Sequence, residues 1–257
     1  MTRIEEAMRK RSQAGRSTAA PVTEAPAGAG PFAGVRSGPG SVDERIVSFH
    51  HPRSDLTENF KQIRIVVQNM LPEGENKLIL FTSSYGPEGK TTASLNYATA
   101  VAQDASKRVL IVDADLRKPK VHEYLGMRPG RGFGDLLMSD APVESVVVRT
   151  PIPGLSAILC GEIPPNPSEL LGTERVGQIF AELKDKYDCV VVDTAPVLPV
   201  VDTIHVAPYA DGVILVVEAS RTSRKKVRRA IQLLNNANAA VMGFLLNKGM
   251  VALADSA

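Results

Sequence analysis

The chain has 257 residues and a net charge of +2, with 44% hydrophobic and 23% charged residues. Such a composition is typical of a globular protein and excludes a wholly disordered chain. We expect no transmembrane helix and no signal peptide, because apolar runs are short and charges fill the first ten residues. Near-neutral charge and the absence of tryptophan argue against a nucleic-acid partner. Two cysteines are too few for a disulfide framework or a zinc site.

The N-terminal part of the chain differs in composition from the rest. Thr2 to Arg11 predicts a short amphipathic helix that begins with a capping box, Thr2 with Glu5. From about Ala14 to Ser41 the chain is rich in Pro, Gly, Ala and Ser, which predicts a flexible linker. We therefore expect residues 1–41 to form a short helix plus a disordered linker, and residues 42–257 to form one folded domain.

Helical and strand patterns then alternate along the chain. Apolar residues at helical spacing predict a helix over Leu56–Met70, with Phe60, Ile63, Val67 and Met70 on its buried face. Short apolar runs predict strands at Lys77–Ser83, Arg108–Asp113, Leu155–Leu159, Cys189–Asp193, Gly212–Val217 and Val241–Leu246. Further helices are predicted at Thr91–Gln103, Ser168–Lys186 and Thr222–Asn236. Because several strands are apolar without alternation, we predict a doubly wound α/β domain, with a mostly parallel sheet and helices on both faces.

The first strand leads into a phosphate-binding loop. A P-loop has the pattern G-x-x-x-x-G-K-[ST] between a strand and a helix, and only its first glycine is replaced here, by Ser84. Backbone N–H groups of such a loop and the following helix N-terminus bind phosphates. The predicted nucleotide-binding residues are Gly86, Pro87, Glu88, Gly89, Lys90, Thr91 and Thr92. Lys90 would reach the β- and γ-phosphates, and Thr91 would bind Mg²⁺. The domain is thus predicted to be a P-loop NTPase.

Carboxylates follow two other strands. Asp113 and Asp115 end the second strand, and Asp193 ends the run CVVVD. Ligands of open α/β sheets bind at the carboxyl ends of the strands, so these side chains are expected near the phosphates. A lone aspartate at a strand end is usually a turn or capping residue, but three beside a P-loop indicate a catalytic or metal-binding role.

Several motifs together resemble the bacterial tyrosine autokinases of capsule and exopolysaccharide synthesis, and in particular their separate cytoplasmic kinase subunits. They are GPEGKTT, DADLRKP, IPPNPSELLGTERV and YDCVVVDTAPVLPVVD, read as Walker A, Walker A′, a mid-domain stretch and Walker B. The resemblance implies an ATP- and Mg²⁺-dependent protein-tyrosine kinase. It implies a membrane polysaccharide co-polymerase as the activating partner and protein tyrosines as substrates. It also implies a cytoplasmic location, peripheral at the inner face of the membrane through that partner.

The resemblance also implies residue roles. Lys90, Asp113, Asp115 and Asp193 would be catalytic, with either Asp113 or Asp115 accepting the tyrosyl proton. Thr91, Asp113 and Asp193 would hold the metal, and Asn247 matches a position that contacts the base in related ATPases. The position of Arg117 matches an arginine of the family. The family's interface motif E-x-x-R-x-x-R reads Glu58, Lys61 and Arg64 here, which indicates either a homo-oligomer contact or a solvated charged face.

Two features leave alternatives open. The five tyrosines all precede Asn247, so we expect the chain to lack the tyrosine cluster that ends many family members. The alternative function is therefore a regulatory ATPase switch of the same polysaccharide machinery. The basic run from Arg221 to Arg229 indicates either a solvated helix face or a contact with anionic lipid or an acidic partner.

Overall fold

The computed structural model of the chain describes residues 40–72 and 76–249. The predicted helix at Thr2–Arg11 and almost all of the predicted linker lie outside the described residues. Val42 and Ile46 are already buried against the domain. The start of the folded domain at residue 42 is compatible with this burial and stays a prediction.

Helices and strands alternate along most of the described chain. The helices are α1 (Val47–His50), α2 (Asp55–Met70), α3 (Lys90–Ala102), α4 (Val121–Tyr124), α5 (Phe133–Leu137), α6 (Pro167–Leu171), α7 (Glu174–Lys186), α8 (Asp202–Val206) and α9 (Arg224–Asn236). The strands are β1 (Lys77–Ser83), β2 (Val109–Asp113), β3 (Val147–Arg149), β4 (Leu155–Ile158), β5 (Cys189–Asp193), β6 (Gly212–Glu218) and β7 (Val241–Asn247). Three-residue 3₁₀ turns occur at Val143–Ser145 and Ala207–Tyr209.

The strands form one sheet in the order β3-β4-β2-β5-β1-β6-β7. All neighbouring strands are parallel except β3, which runs antiparallel to β4. The predicted fold class, a doubly wound and mostly parallel α/β sheet, is confirmed.

Helices cover both faces of the sheet, and the side chains of β1 pack alternately against the helices of each face. Leu78 and Leu80 pack into one apolar cluster with Phe180 of α7, while Ile79 and Phe81 pack into a second cluster. That second cluster includes Leu95 and Tyr97 of α3. Successive side chains of a strand point to opposite faces, so a strand buried on both faces must be apolar at every position.

Three details differ from the expectations. The predicted helix Ser168–Lys186 is two helices, because α6 ends before Gly172, and Thr173, in an extended conformation, precedes the first residue of α7. The short antiparallel edge strand β3 was not predicted, since three residues carry too little periodicity. Met70 is 54% exposed rather than buried. It lies in the last turn of α2, whereas Val67, one turn earlier, is buried.

The centre of the sheet brings the predicted motifs together. β5 lies between β2 and β1, so three motif-bearing strands end side by side. In register, Asp193 of β5 is opposite both Asp113 of β2 and Phe81 of β1. Residues that are about 80 to 110 positions apart in sequence therefore meet at one edge of the sheet. No helix in the described ranges is both long and apolar enough to cross a bilayer.

Candidate functional site

The predicted phosphate-binding residues lie in the loop between β1 and α3 and in the first turn of α3. Gly89 is the residue before α3 and has a φ of +92°, a left-handed conformation that disfavours residues with a side chain. A Cβ atom added at Gly89 would lie 2.0 Å from Nδ2 of Asn247. The backbone geometry thus requires glycine here, and a Cβ atom would also displace the Asn247 side chain. Lys90 and Thr91 begin the helix directly after Gly89.

Substitution of Gly89 by alanine should disrupt this loop. We expect a loss of about 1–3 kcal/mol of folding stability from backbone strain, together with a loss of nucleotide binding. Gly86→Ala is the matched control, since a Cβ atom at Gly86 meets nothing within 4 Å. Thermal unfolding and titration with a fluorescent ATP analogue measure both effects. Equal behaviour of the two variants would contradict the assigned loop geometry.

Hydrogen bonds fix the conformation of the loop between β1 and α3. The buried carboxylate of Glu88 accepts hydrogen bonds from the backbone N–H groups of Ser84 and Tyr85, at 2.7 and 3.2 Å. The Thr222 hydroxyl also donates to this carboxylate. Asn247 at the end of β7 donates to the backbone oxygen of Glu88 at 2.9 Å. The predicted base-contacting residue therefore lies against the loop, and its contact with a base stays a prediction.

Lys90 is the centre of the charged cluster. Its Nζ lies 2.8 Å from Oδ2 of Asp115 and 3.4 Å from Oδ2 of Asp193. The Thr91 hydroxyl donates to the same Asp193 oxygen at 2.6 Å. Lys90, the first residue of α3, is thus held between carboxylates that follow two different strands.

Burial changes the protonation chemistry of this cluster. Burial raises the pKa of Asp193 above its usual range, although the Lys90 charge and the Thr91 hydroxyl oppose this shift. The pKa of Asp113 is also raised, by burial first and then by the charge of Asp193. Burial lowers the pKa of Lys90, but the charges of Asp193 and Asp115 outweigh this and raise it. Lys90 is therefore firmly protonated.

Asp113 and Asp115 have different surroundings. Asp113 accepts hydrogen bonds from the backbone N–H groups of Asp115, Lys120 and Val121. Both of its oxygens are used to shape the segment between β2 and α4. Asp115 accepts backbone N–H groups of Arg117 and Lys118 with one oxygen, and its other oxygen pairs with Lys90. Asp115 thus faces the loop, and the metal-binding role of Asp113 stays a prediction.

The residues fit a magnesium ion bound together with phosphates. Oδ1 of Asp193 is buried and accepts no hydrogen bond from the described residues, so it can order a metal-bound water. No group of three or more acidic, histidine or cysteine side chains in the described ranges forms a metal cage. Mg²⁺ in nucleotide sites commonly uses one or two carboxylates plus phosphate oxygens, which agrees with a site at Thr91 and Asp193.

A second ionic network lies beside the cluster and was not predicted from spacing. Arg117 donates to both oxygens of the buried Asp202, at 2.7 and 3.2 Å, and to the Ser168 hydroxyl at 2.8 Å. Ser168 itself donates to Asp202 at 2.6 Å. The network joins the DADLRKP, NPSELL and VLPVVD segments. Each of these residues lies in a sequence motif, but only the fold brings Arg117, Ser168 and Asp202 into contact.

The predicted interface motif lies on α2. Lys61 pairs with Glu58 at 2.7 Å and donates to the backbone oxygen of Pro52. Arg64 pairs with Asp104 at 3.0 Å. These contacts lie within the chain, and Glu58 stays about half exposed.

Comparison with known proteins gives the family. An AAA domain model matches residues 76–245. The putative tyrosine-protein kinase CapB of Staphylococcus aureus is 34% identical over 197 residues, which cover 77% of this chain and 86% of CapB. The tyrosine-protein kinase YwqD of Bacillus subtilis is 31% identical over 214 residues, which cover 83% of this chain and 90% of YwqD. The chain belongs to the bacterial tyrosine kinases.

Other members of this kinase family are longer. The putative tyrosine-protein kinase EpsB of Ralstonia nicotianae is 37% identical over 76% of this chain but only 26% of its own length. The kinase domain of the Escherichia coli tyrosine kinase ETK superposes with a TM-score of 0.76 and 30% identity over 82% of each chain. MinD of Pyrococcus horikoshii, at 23% identity and a TM-score of 0.58, shares the fold. The P-loop NTPase fold of the kinase family implies nucleotide binding.

Proposed function

We propose that the protein is an ATP-dependent protein-tyrosine kinase that regulates capsule or exopolysaccharide synthesis and export. The observation that carries the proposal is the position of Lys90 between Asp115 and Asp193 at the N-terminus of α3. A cation and two carboxylates beside a phosphate loop can neutralise a transferring phosphoryl group and accept the proton of an attacking hydroxyl.

Each residue then has a chemical role. Backbone N–H groups of the loop and the α3 N-terminus bind the phosphates, and Lys90 stabilises negative charge on the γ-phosphoryl group. Thr91 and Asp193 would hold Mg²⁺, which neutralises phosphate charge when bound. Asp115 accepts the tyrosyl proton, since one of its oxygens faces Lys90 beside the phosphate loop, whereas both oxygens of Asp113 accept backbone N–H groups of the segment after β2. The transfer turns ATP and a protein tyrosine into ADP and phosphotyrosine.

The partner and the location belong to the same proposal. A membrane polysaccharide co-polymerase would activate the kinase and hold it at the cytoplasmic face of the membrane. A relative from Rhizobium meliloti, 32% identical over 77% of this chain, is named a succinoglycan biosynthesis transport protein, which supports a role in polysaccharide export. Self-association would use Glu58, Lys61 and Arg64, which would exchange contacts within the chain for contacts between copies.

Tyrosines within the domain are candidate acceptors. Of the five, Tyr85 in the phosphate loop and Tyr209 are the most exposed, at 52% and 40%. Both can meet the active site of another copy, whereas Tyr97 is buried.

Phosphotyrosine formation tests the proposal. The protein is incubated with MgATP and the cytoplasmic segment of its co-polymerase, and phosphotyrosine on both is located by mass spectrometry. We expect transfer that depends on the partner segment and on Mg²⁺. Release of phosphate without phosphotyrosine on either protein would contradict the kinase and favour the regulatory ATPase switch.

A further inference from the structure

One surface of the domain is not explained by nucleotide chemistry. We call it the basic–apolar surface, and it consists of Arg224, Lys225, Arg228 and Arg229 of α9 together with Phe244 and Leu246 of β7. All six residues are exposed, and Phe244 and Leu246 are 65% and 61% accessible. Two large apolar side chains this exposed on one short strand call for an explanation.

Strand register places the apolar pair on the same face of the sheet as α9. Phe244 lies opposite Leu215 of β6, and Leu246 lies opposite Val217. Leu215 and Val217 belong to the apolar cluster that includes Ala230 and Leu234 of α9. Residues in register on parallel strands point to the same face, and β7 is the last strand of the sheet. Phe244 and Leu246 therefore lie beside α9, at its outer flank.

The charged residues of α9 lie on its two flanks and on the outward face between them. Lys226 lies over the Tyr85 ring, with Nζ 4.5 Å from the ring centre, so this flank faces the loop after β1. At about 100° per residue, Lys225 and Arg229 lie on the outward face between the two flanks, and Arg224 and Arg228 lie on the opposite flank. Since the sheet order is β1-β6-β7, that flank is the one nearest Phe244 and Leu246.

The positive charge of this surface is not balanced by the chain. The sequence of α9, RKKVRRAIQLLNN, contains no acidic residue. Within the described ranges Arg224, Lys225, Arg228 and Arg229 form no salt bridge, and Arg229 donates only to the Gln232 amide oxygen. An anionic partner could thus pair with these four cations without first breaking an ion pair within the described ranges.

We infer that the basic–apolar surface binds directly to a bilayer that contains anionic phospholipid. The four cations attract the headgroups, since each Lys or Arg near an anionic surface makes a favourable contribution to binding. Phe244 and Leu246 enter the headgroup region, as apolar residues of peripheral proteins do. The domain would then contact the membrane itself, besides any contact through a partner. The inference does not depend on kinase activity.

Vesicle binding tests the electrostatic part of the inference. We expect Arg224→Gln/Lys225→Gln/Arg228→Gln to weaken binding to phosphatidylglycerol-containing vesicles about 100-fold, from the loss of three such contributions. Arg53→Gln/Lys107→Gln/Arg128→Gln is the matched control, because it removes the same charge from exposed positions elsewhere. Nucleotide binding of both variants is measured in parallel as a check on folding. Equal weakening by the two triple variants would overturn the proposed location.

A single tryptophan tests the apolar part, because the chain has no natural tryptophan. Phe244→Trp places this probe on the surface, and Val66→Trp places one at a similarly exposed position of α2. We expect blue-shifted emission and quenching by brominated lipid for Phe244→Trp alone. Absence of quenching in vesicle-bound Phe244→Trp protein would overturn insertion. A shift with an acidic peptide but none with vesicles would overturn the lipid and favour a protein partner.

Discussion

Replacement of Lys90 by methionine should lower the rate of phosphotyrosine formation by about 100- to 1000-fold. Removal of one preorganised charge donor at a reacting centre typically has this effect. Methionine keeps the length of the side chain but leaves the transferring phosphoryl group without its cation. Single-turnover transfer from labelled ATP measures the rate. Lys107→Met, at an exposed position, is the matched control and should keep full activity.

The same substitution should lower stability in a pH-dependent way. Methionine leaves the buried Asp115 and Asp193 carboxylates without the cation that lies 2.8 and 3.4 Å away. Breaking a buried ion pair costs roughly 3–5 kcal/mol. Since burial already raises the pKa of Asp193, this carboxylate becomes protonated at low pH and then leaves no unpaired buried charge in the variant. The loss of folding stability relative to the original protein should therefore grow as pH rises. Urea unfolding at pH 5.5 and pH 8 checks this, and a deficit that is greater at pH 5.5 would contradict it.

Replacement of Asp115 by asparagine should lower the rate of transfer by about 100- to 10,000-fold, the usual contribution of a positioned base. Asparagine still has one side-chain oxygen, which can accept the hydrogen bond from the Lys118 N–H group, so the turn after β2 should persist. MgATP affinity is therefore expected to stay within a few-fold of the original. Rapid-quench kinetics and nucleotide titration separate the two effects.

Asp113→Asn is the comparison that makes this test decisive. Asp113 accepts three backbone N–H groups, and an amide would turn one of its acceptor atoms into a donor. We expect a lower melting temperature for Asp113→Asn, with activity lost in proportion to folding. A normally folded Asp113→Asn protein without transfer, beside an active Asp115→Asn protein, would assign the proton acceptor to Asp113.

Local patterns in the sequence were enough to place most elements. β1 and β5 have the predicted bounds, and α3 begins one residue earlier than predicted. These segments are read correctly because apolar strands and a glycine-rich loop leave few alternatives. The break at Gly172 was missed, although the buried positions change phase there: on one continuous helix, Leu171 of α6 would lie on the side opposite to Val176 of α7.

The contacts within the site were less accessible to sequence reasoning. The spacing of Gly89 and Lys90 identified a phosphate loop, but not that the Glu88 carboxylate binds the N–H groups of Ser84 and Tyr85. The pairing of Arg117 with Asp202 likewise joins residues 85 positions apart. The Arg117–Asp202 pair depends on which strand ends lie side by side, and no local pattern records this.

The sequence by itself determined the phosphate loop, the strand-end carboxylates and the kinase resemblance, because each lies within one short segment. Only the tertiary structure decided that Asp115 rather than Asp113 faces Lys90. It also decided that Phe244 and Leu246 stand exposed at the edge of the sheet. The physical reason is that strand order and register set the surroundings of a side chain, and both follow from packing the whole sheet.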